Sequence, residues 1–196
     1  MSSPPHAAGS TGADRRRAVF LDRDGTIAEE VGYLNHLSRF RVFPFAGPAI
    51  RRLNEAGLAV IVVTNQSGVA RGFFPEELIH EVHRRMQEEL AVHGARVDAI
   101  YYCPHTAQEQ CECRKPRPGM LERAAREHKL ELAGSFLVSD RYADIAMAQQ
   151  VGCRGILVLT GYGRGEYEWN RQRWPRQPDW VVENLLEAAE IIVRHR

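Results

Sequence analysis

The stretch AVFLDRDGT at residues 18–26 decides the fold of this chain and locates a candidate site. Its first four residues are apolar and predict a short strand that is buried on both faces, as in a parallel sheet. The strand ends at two carboxylates, and Gly25 then allows the backbone to turn. Ligands of open α/β sheets bind outside the carboxyl ends of the strands, so the segment predicts a functional site there.

The two acids of this segment favour phosphoryl chemistry. Asp22 and Asp24 are two residues apart, so on an extended strand their side chains face the same small volume. Two like charges that close together are costly unless a cation lies between them or one acid holds a proton. Mg²⁺ prefers oxygen ligands. One carboxylate could attack phosphorus, while the other protonates the leaving oxygen and then activates water. A surface turn with two solvated aspartates is the alternative.

Length and composition predict one domain, with room for a small insert. The chain has 196 residues, 44% of them hydrophobic, which is enough for a sizeable core. Its formal net charge is +1, and this near-neutral balance suggests neither a nucleic-acid nor a membrane partner. Residues 1–17 are polar and rich in Ser, Pro and Gly, so we expect a disordered tail followed by a single domain at 18–196.

Strand and helix patterns alternate along the rest of the chain. Further apolar runs predict strands at 59–63, 99–102, 136–139, 155–159 and, as an edge strand, 180–182. Helical patterns lie between or after them at 48–56, 75–93, 119–128, 143–151 and 184–193. We expect loops at 27–43 and 161–165, the latter flexible, and an aromatic cover at 166–180. The alternation predicts a doubly wound, mainly parallel α/β sheet, and without long inserts it predicts no separate cap domain.

Two further strands are also followed by polar residues. The segment TNQSG at 64–68 follows the second strand, and its hydroxyl, amide and backbone N–H groups could hold phosphate oxygens, although such clusters are often ordinary turns. The fourth strand ends at Asp140, a candidate third carboxylate for the cation. His80, His83 and His93 lie on the second predicted helix and are interpreted as surface or boundary residues.

The loop after the third strand carries a candidate zinc site. Cys103, His105, Cys111 and Cys113 form a Cys₃His set, which suits a closed structural Zn²⁺ site. Three incidental reduced cysteines are the alternative. Clustered thiols argue for metal binding over a disulfide framework, and hence for a reducing, cytoplasmic compartment. Cys153 is predicted to pack in the core.

A cationic platform follows the zinc loop directly. Arg114, Lys115 and Arg117 precede a predicted helix start, and such a platform attracts anions. We interpret the zinc loop as a staple for it, because a metal that fixes residue 113 limits where residues 114 and 115 can lie.

These segments together resemble the haloacid-dehalogenase (HAD) superfamily of phosphohydrolases. Residues 22–26 look like its motif I, which implies that Asp22 is the nucleophile and Asp24 the general acid/base. The resemblance also implies that both residues bind Mg²⁺, Asp24 through its backbone carbonyl, together with Asp140. It assigns contacts with the phosphoryl group to residues of motifs II and III, namely Thr64, Asn65 and Lys115.

The zinc loop narrows the resemblance. The pattern CPH…CxCRKPxPGM is similar to D-glycero-D-manno-heptose-1,7-bisphosphate 7-phosphatases and to related histidinol-phosphatases, and the likeness runs from about residue 18 to residue 160. It implies a small phosphorylated sugar as substrate. Separately, we expect no nucleic-acid or membrane partner and a monomer. Substrate contacts are expected from Glu30, Val31, Gly32, Tyr33, Thr64, Asn65, Gln66, Ser67, Arg114, Lys115 and Arg141. The two phosphates would suit a cluster of four cations, Arg71, Arg114, Arg117 and Arg141.

Three alternatives stay open beside the heptose bisphosphate. Histidinol phosphate would require acids such as Glu29 or Glu30 near its ammonium group. A nucleic-acid 3′-phosphatase is disfavoured by the near-neutral charge. A zinc-stabilised binding module with a silent site is the third. The last motif also departs from the family pattern G-D-x-x-x-D, since Ser139 precedes Asp140 and Arg141 stands where Lys is frequent. Asp144 is expected at a helix start or behind the direct metal ligands.

Overall fold

A computed structural model describes residues 16–196 of the chain. Its strands are β1 (Arg16–Leu21), β2 (Ala59–Asn65), β3 (Ala99–Cys103), β4 (Leu130–Ser139), β5 (Arg154–Val158) and β6 (Trp180–Val182). Its α-helices are α1 (Ala46–Glu55), α2 (Glu76–Ala91), α3 (Gly119–Glu127), α4 (Tyr142–Gln150), α5 (Gly163–Asn170) and α6 (Leu185–His195). Short 3₁₀ turns occur at Leu37–Arg39, Ala107–Glu109 and Arg171–Arg173.

The six strands form one sheet in the order β3-β2-β1-β4-β5-β6, and every neighbouring pair is parallel. The chain builds outward from β1 in one direction, then crosses to β4 and builds in the other. The strand order therefore reverses between β1 and β4, which is where open α/β sheets form their ligand crevice. Asp22 and Asp140 follow directly on these two strands. The predicted doubly wound parallel fold is confirmed.

Both faces of the sheet are covered by helices. On β1, Val19 and Leu21 face one core, which α1, α2 and α6 complete. Ala18 and Phe20 face the other core, which α3 and α4 complete. Because all four residues are buried, the uninterrupted apolar run in the sequence is explained by the central place of β1 in a parallel sheet.

Strand β1 begins earlier than the sequence predicted. Arg16 and Arg17, assigned to the tail, pair with Leu130 and Glu131 because β4 is longer than predicted and reaches back to meet them. The remaining residues of the predicted tail, 1–15, lie outside the described residues.

The predicted flexible loop at 161–165 is wrong in its second half, where α5 begins at Gly163. A Cβ atom at this residue would lie 1.8 Å from the carbonyl oxygen of Val158, so only glycine lets the helix start so close to β5. Helix α1 also begins earlier than predicted, at Ala46.

The segments that follow β1 and β2 are short. The first contains one 3₁₀ turn and a bridge of Ala28 to Asp24 and to Val42, and the second leads through turns to Pro75 at the start of α2. Within residues 16–196, no helix has the length and apolar character needed to cross a membrane.

Candidate active site

A cavity of about 330 Å³ opens where β1 and β4 end. Several distant segments supply its walls, among them the ends of β1, β2 and β4 and the loop that precedes α3. Its lining residues are Asp22, Asp24, Glu30, Thr64, Asn65, Ser67, Arg114, Lys115, Pro116, Asp140, Arg141, Ala143 and Asp144.

Lys115 lies at the centre of a buried ion network. Its Nζ is 2.8 Å from Asp22 Oδ2 and 2.7 Å from Asp144 Oδ2. The hydroxyl of Ser139 donates to Asp144 Oδ2 at 2.9 Å and lies 3.4 Å from Asp22 Oδ2. Asp144 lies in the first turn of α4, at the helix start that the sequence predicted, and its contact with Lys115 was not predicted. Ser139, a departure from the family pattern, adds a donor to the same network.

The electrostatics of the cavity favour the binding of a cation. Burial raises the pKa of Asp22 to about 7, against the opposing effect of Lys115, and Asp144 raises it further. Burial, and after it the charge of Asp22, raises the pKa of Asp140 to about 8. For Lys115 burial acts to lower the pKa, but Asp144 and Asp22 outweigh it and raise the value. Two buried carboxylates that repel each other are a donor set that suits Mg²⁺.

Asp140 is held by the loop after β5, which the sequence did not identify as part of the site. The backbone N–H of Tyr162 donates to Asp140 Oδ2 at 2.8 Å. Cβ atoms at Gly25 and Gly161 would each lie 2.1 Å from that oxygen, so both glycines are needed for its approach. Thr160 joins the two segments by donating to the carbonyl of Gly25.

Asp24 is fixed by two side chains. Nε and Nη2 of Arg23 donate to its two oxygens at 3.0 and 2.8 Å. Nε2 of Gln66 donates to Asp24 Oδ2 and to Thr64 Oγ1, each at 2.9 Å. Gln66, expected to contact substrate, therefore has its amide nitrogen engaged in linking the ends of β1 and β2.

Asn65 connects β2 to the loop that carries the lysine. Its Nδ2 donates to the carbonyl of Lys115 at 3.0 Å, and its Oδ1 accepts from the N–H of Lys115 at 3.1 Å. This pair of hydrogen bonds fixes the backbone of Lys115. Asn65 also lines the cavity, as does Ser67.

The four arginines of the expected phosphate cluster do not lie together. Arg114 and Arg141 line the cavity. Arg117 instead donates to the carbonyls of Gln110 and Cys111 in the preceding loop. Arg71 is exposed, with its guanidinium 6.0 Å from the ring centre of Tyr33. Neither Arg71 nor Arg117 lines the cavity.

The segment at residues 30–33 borders an adjoining cavity of about 280 Å³. Glu30 lines both cavities, whereas Gly32 and Tyr33 line only the second. Tyr33 packs edge-on against Phe73 with the ring centres 4.7 Å apart. Val31 lines neither cavity, and its carbonyl accepts from Arg39.

The four candidate zinc ligands converge. The donor atoms of Cys103, His105, Cys111 and Cys113 all lie within 4.8 Å of one another. The sulfur–sulfur distances are 3.2 to 3.5 Å. Bonds of about 2.3 Å to a tetrahedral Zn²⁺ would place the sulfurs about 3.8 Å apart, so a small expansion accommodates the ion. The donor set therefore fits a closed zinc site.

One of the three histidines that the sequence analysis interpreted as surface or boundary residues is buried. His83 on α2 is 6% exposed, and its Nε2 lies 3.3 Å from Nη1 of Arg23. Arg23 is itself 1% exposed and has the largest fully buried side chain of the part of the chain that the structure describes. Helical periodicity alone could not identify His83, because its partner lies 60 positions earlier.

We expect the buried His83 to lower the stability of the protein in acid. Burial, followed by the charges of Arg23 and His80, lowers the pKa of His83 to about 3 from 6.5. Between those pH values the unfolded chain binds a proton at this histidine that the folded chain does not. The free energy of unfolding therefore decreases as the pH falls below 6.5. We expect His83→Gln to lessen the stability loss between pH 7 and pH 5 by roughly 1–2 kcal/mol, measured by urea unfolding.

The difference between parent and variant gives the contribution of His83 to the pH dependence, because the carboxylates that titrate in the same range are present in both proteins. His195→Gln, at an exposed histidine on α6, is the matched control and should leave the pH dependence unchanged. Equal slopes for the parent and His83→Gln would contradict the prediction.

Fold and cavity together define the chain as a phosphatase of the HAD-like hydrolase class. A family model described as polynucleotide kinase 3 phosphatase matches residues 18–148, and one described as HAD-hydrolase-like matches residues 112–188. A structure of D,D-heptose 1,7-bisphosphate phosphatase from B. bronchiseptica, complexed with magnesium and phosphate, is 35% identical with a TM-score of 0.84 and covers 92% of this chain and 99% of its own.

Full-length relatives make the assignment more specific. A D-glycero-D-manno-heptose-1,7-bisphosphate 7-phosphatase from Thermosynechococcus vestitus is 41% identical over 92% of this chain and 97% of its own length. A D-glycero-beta-D-manno-heptose-1,7-bisphosphate 7-phosphatase from Yersinia pestis is 38% identical over 89% and 94%. The chain belongs to this family of heptose-bisphosphate phosphatases.

Proposed function

We propose that the protein removes the 7-phosphate of D-glycero-D-manno-heptose 1,7-bisphosphate. The observation that carries the proposal is the placement of Lys115 Nζ 2.8 Å from Asp22 Oδ2 in a cavity that Asp24 and Asp140 also line. Full-length relatives with this named activity support the substrate.

Asp22 is the proposed nucleophile. Its Oδ1 accepts from the N–H of Arg23 at 2.8 Å and its Oδ2 contacts Lys115, so the carboxylate has a fixed orientation. Attack on phosphorus forms an aspartyl-phosphate and releases the sugar oxygen. Lys115 neutralises charge on the phosphoryl oxygens. Asp22, the carbonyl of Asp24 and Asp140 would hold Mg²⁺, which supplies further charge neutralisation at the phosphoryl group when bound.

Asp24 is the proposed general acid and base. It lines the cavity two residues after Asp22, and each of its carboxylate oxygens accepts a hydrogen bond from Arg23. In the first step its carboxyl group gives a proton to the departing sugar oxygen. In the second step the carboxylate takes a proton from the water that attacks the aspartyl-phosphate.

Arg114 and Arg141 are the proposed contacts for the distal phosphate, since both are cations that line the cavity. Thr64, Asn65 and Ser67 border the reacting phosphate on the side of β2. Arg141 is paired with Glu166 at 2.8 Å and its guanidinium lies over Tyr162, so a phosphate would share this arginine with the carboxylate.

The Cys₃His cluster is the proposed structural zinc site of a single domain at residues 18–196. Its thiols suit the reducing cytoplasm, which we infer as the compartment. The proposed enzyme acts as a monomer on a small phosphorylated sugar, because one chain supplies every group of the proposed reaction.

A panel of substrates tests the proposal. Phosphate release in the presence of Mg²⁺ should be fastest by kcat/KM from the heptose 1,7-bisphosphate. Histidinol phosphate tests the closest metabolic alternative. A 3′-phosphorylated oligonucleotide tests the activity that the matched polynucleotide kinase 3 phosphatase model names. Preference for either alternative would replace the heptose substrate, and no release from any of the three would favour a silent binding module.

Removal of zinc should weaken substrate binding more than it affects the nucleophile. Nη1 of Arg114 donates to the carbonyl of His105 at 3.0 Å, so the zinc loop positions this arginine. Lys115 is held independently by Asn65. Because a hydrogen bond to a charged group contributes about 1.5–3 kcal/mol, chelation should raise KM by about 10- to 100-fold. Aspartyl-phosphate formation at saturating substrate should stay within about twofold of the untreated enzyme, measured by acid quench.

Readdition of Zn²⁺ should restore the original KM, and Cys111→Ser should reproduce the chelated enzyme without a chelator. Cys153→Ala is the matched control, since this thiol lies in the core away from the cluster. An unchanged KM after verified zinc loss would contradict the idea that the loop positions Arg114.

A further inference from the structure

A buried pair of residues connects helix α2 to the proposed general acid/base. Arg23 reaches from the end of β1 to His83, which lies in the middle of α2. The two residues do not form a solvent-exposed polar pair, because Arg23 is 1% exposed and His83 is 6% exposed. Both side chains lie beside the cavity rather than in its lining.

The geometry of Arg23 makes it a clamp on one carboxylate. Its Nε and Nη2 bind the two oxygens of Asp24 at 3.0 and 2.8 Å, which is the two-point geometry that a guanidinium favours. Side chains of adjacent residues on an extended strand point to opposite faces. The contact between Arg23 and Asp24 therefore requires the turn that begins at Arg23. The carbonyl of Arg23 stabilises that turn by accepting from the N–H groups of Ile27 and Ala28.

The third nitrogen of the guanidinium fixes the state of His83. A guanidinium can only donate, so Nε2 of His83 must be the acceptor and the ring must be neutral with its proton on Nδ1. The ring lies beside Tyr102, at 5.8 Å between ring centres, and His80 is the other titratable group near it. His83 therefore holds Arg23 by a hydrogen bond and places no second positive charge beside it.

The clamp also selects which oxygen of Asp24 can carry a proton. Oδ2 accepts from both Arg23 and Gln66, so both of its lone pairs are occupied. Oδ1 accepts only from Nε of Arg23 among the bonds of the described residues, which leaves one lone pair available. A proton in transit to the leaving oxygen, or from water, would lie on Oδ1.

We propose that His83 is a positioning residue that holds Arg23, and through Arg23 orients Oδ1 of Asp24 for proton transfer. The inference rests on the proposed role of Asp24 as general acid/base. It adds a residue on a helix 60 positions away to the groups on which that role depends.

The test compares His83→Gln with His83→Asn, because the amide oxygen of glutamine reaches the position of Nε2 whereas that of asparagine does not. Each variant is assayed with Mg²⁺ on an alkyl phosphate, whose leaving oxygen needs a proton, and on p-nitrophenyl phosphate, whose leaving group needs little help. The kcat/KM value is compared because it reports the step that expels the leaving group.

We expect His83→Asn to lower kcat/KM for the alkyl phosphate by about tenfold and for the aryl phosphate by less than about threefold, since a misplaced acid forfeits part of its contribution. His83→Gln should retain most of the parental activity on both. Exposed His80→Asn is the matched control and should resemble the parent.

Equal losses on the two substrates, no loss at all, or no difference between Gln and Asn would each overturn the proposal, since a purely structural histidine predicts those results. Asp24→Asn separates this failure from that of the proposed function. If Asp24→Asn loses activity on the alkyl phosphate while His83→Asn does not, only the clamp is wrong. If Asp24→Asn keeps that activity, the role of Asp24 is itself wrong.

Discussion

Asp22→Asn should abolish turnover while leaving the fold intact. The amide keeps the shape of the carboxylate but cannot act as a nucleophile toward phosphorus. We expect kcat to fall by at least about 10⁴-fold, since removal of a covalent nucleophile typically leaves only the residual effects of binding and charge. No aspartyl-phosphate should accumulate on acid quench, whereas the parent enzyme should show it during turnover.

The stability of this variant should equal or exceed that of the parent in the metal-free state. Because burial raises the pKa of Asp22 from 3.8 to about 7, ionisation of this carboxyl group lowers the stability of the folded protein, and at pH 8 that cost is present in full. Loss of the charge therefore removes an unfavourable burial and a repulsion with Asp144, while Lys115 keeps its partner at 2.7 Å. Urea unfolding at pH 8 measures this directly.

Glu88→Gln, an exposed acid on α2, controls for the loss of a carboxylate as such and should turn over at the parental rate. Parental turnover by Asp22→Asn would refute the covalent mechanism. A variant that neither turns over nor folds would contradict the expected stability, and unfolding measured in parallel separates that outcome from a specific chemical loss.

The sequence predicted the parts of the site that local chemistry determines. Alternation along an extended strand predicted that Asp22 and Asp24 face one small volume, and both line the cavity. Strand β1 nevertheless ends at Leu21, and the backbone bends at Arg23 between the two acids. The rule that ligands gather at carboxyl ends of parallel strands placed Thr64 and Asp140 there too. The convergence of the Cys₃His set was predictable because these four residues occupy only eleven positions of the sequence.

The parts that sequence reasoning missed depend on backbone groups or on tertiary contacts. Tyr162 contributes its N–H to Asp140, and any residue other than proline could supply that donor. The helix that begins at Gly163 was predicted as a loop, because glycines signal turns whereas here the glycine permits close approach to β5. Arg23 and His83 acquire their roles only when α2 packs beside β1.

The same reasoning explains why only two arginines of the predicted phosphate cluster, Arg114 and Arg141, line the cavity. Charge and proximity in sequence grouped Arg114 with Arg117, but Arg117 turns back to carbonyls of the zinc loop. In an irregular segment, the directions of two side chains three residues apart cannot be predicted from their spacing. By contrast, Asp22 and Asp24 follow directly on the regular strand β1, and with the bend at Arg23 between them both side chains line the cavity.

Lys115→Met should destroy activity and destabilise the fold together. The lysine side chain is 3% exposed and lies between Asp22 and Asp144. Breaking a buried ion pair by removing one partner costs about 3–5 kcal/mol, because the remaining charge is uncompensated. Here two carboxylates remain, so we expect a loss of that order in urea unfolding at pH 8. Phosphate release should fall by at least about 10³-fold through lost charge stabilisation at the phosphoryl group.

A double variant separates the two effects. In Lys115→Met/Asp144→Asn the facing carboxylate is neutral, and the amide can still accept the hydrogen bond that Ser139 donates at 2.9 Å. Most of the lost stability should return, whereas turnover should not, because the cation at the reacting centre is still missing. Exposed Lys129→Met is the matched control and should change neither property. Recovery of turnover by the double variant would show that Lys115 serves only to neutralise Asp144, and the catalytic role argued for it would then be wrong.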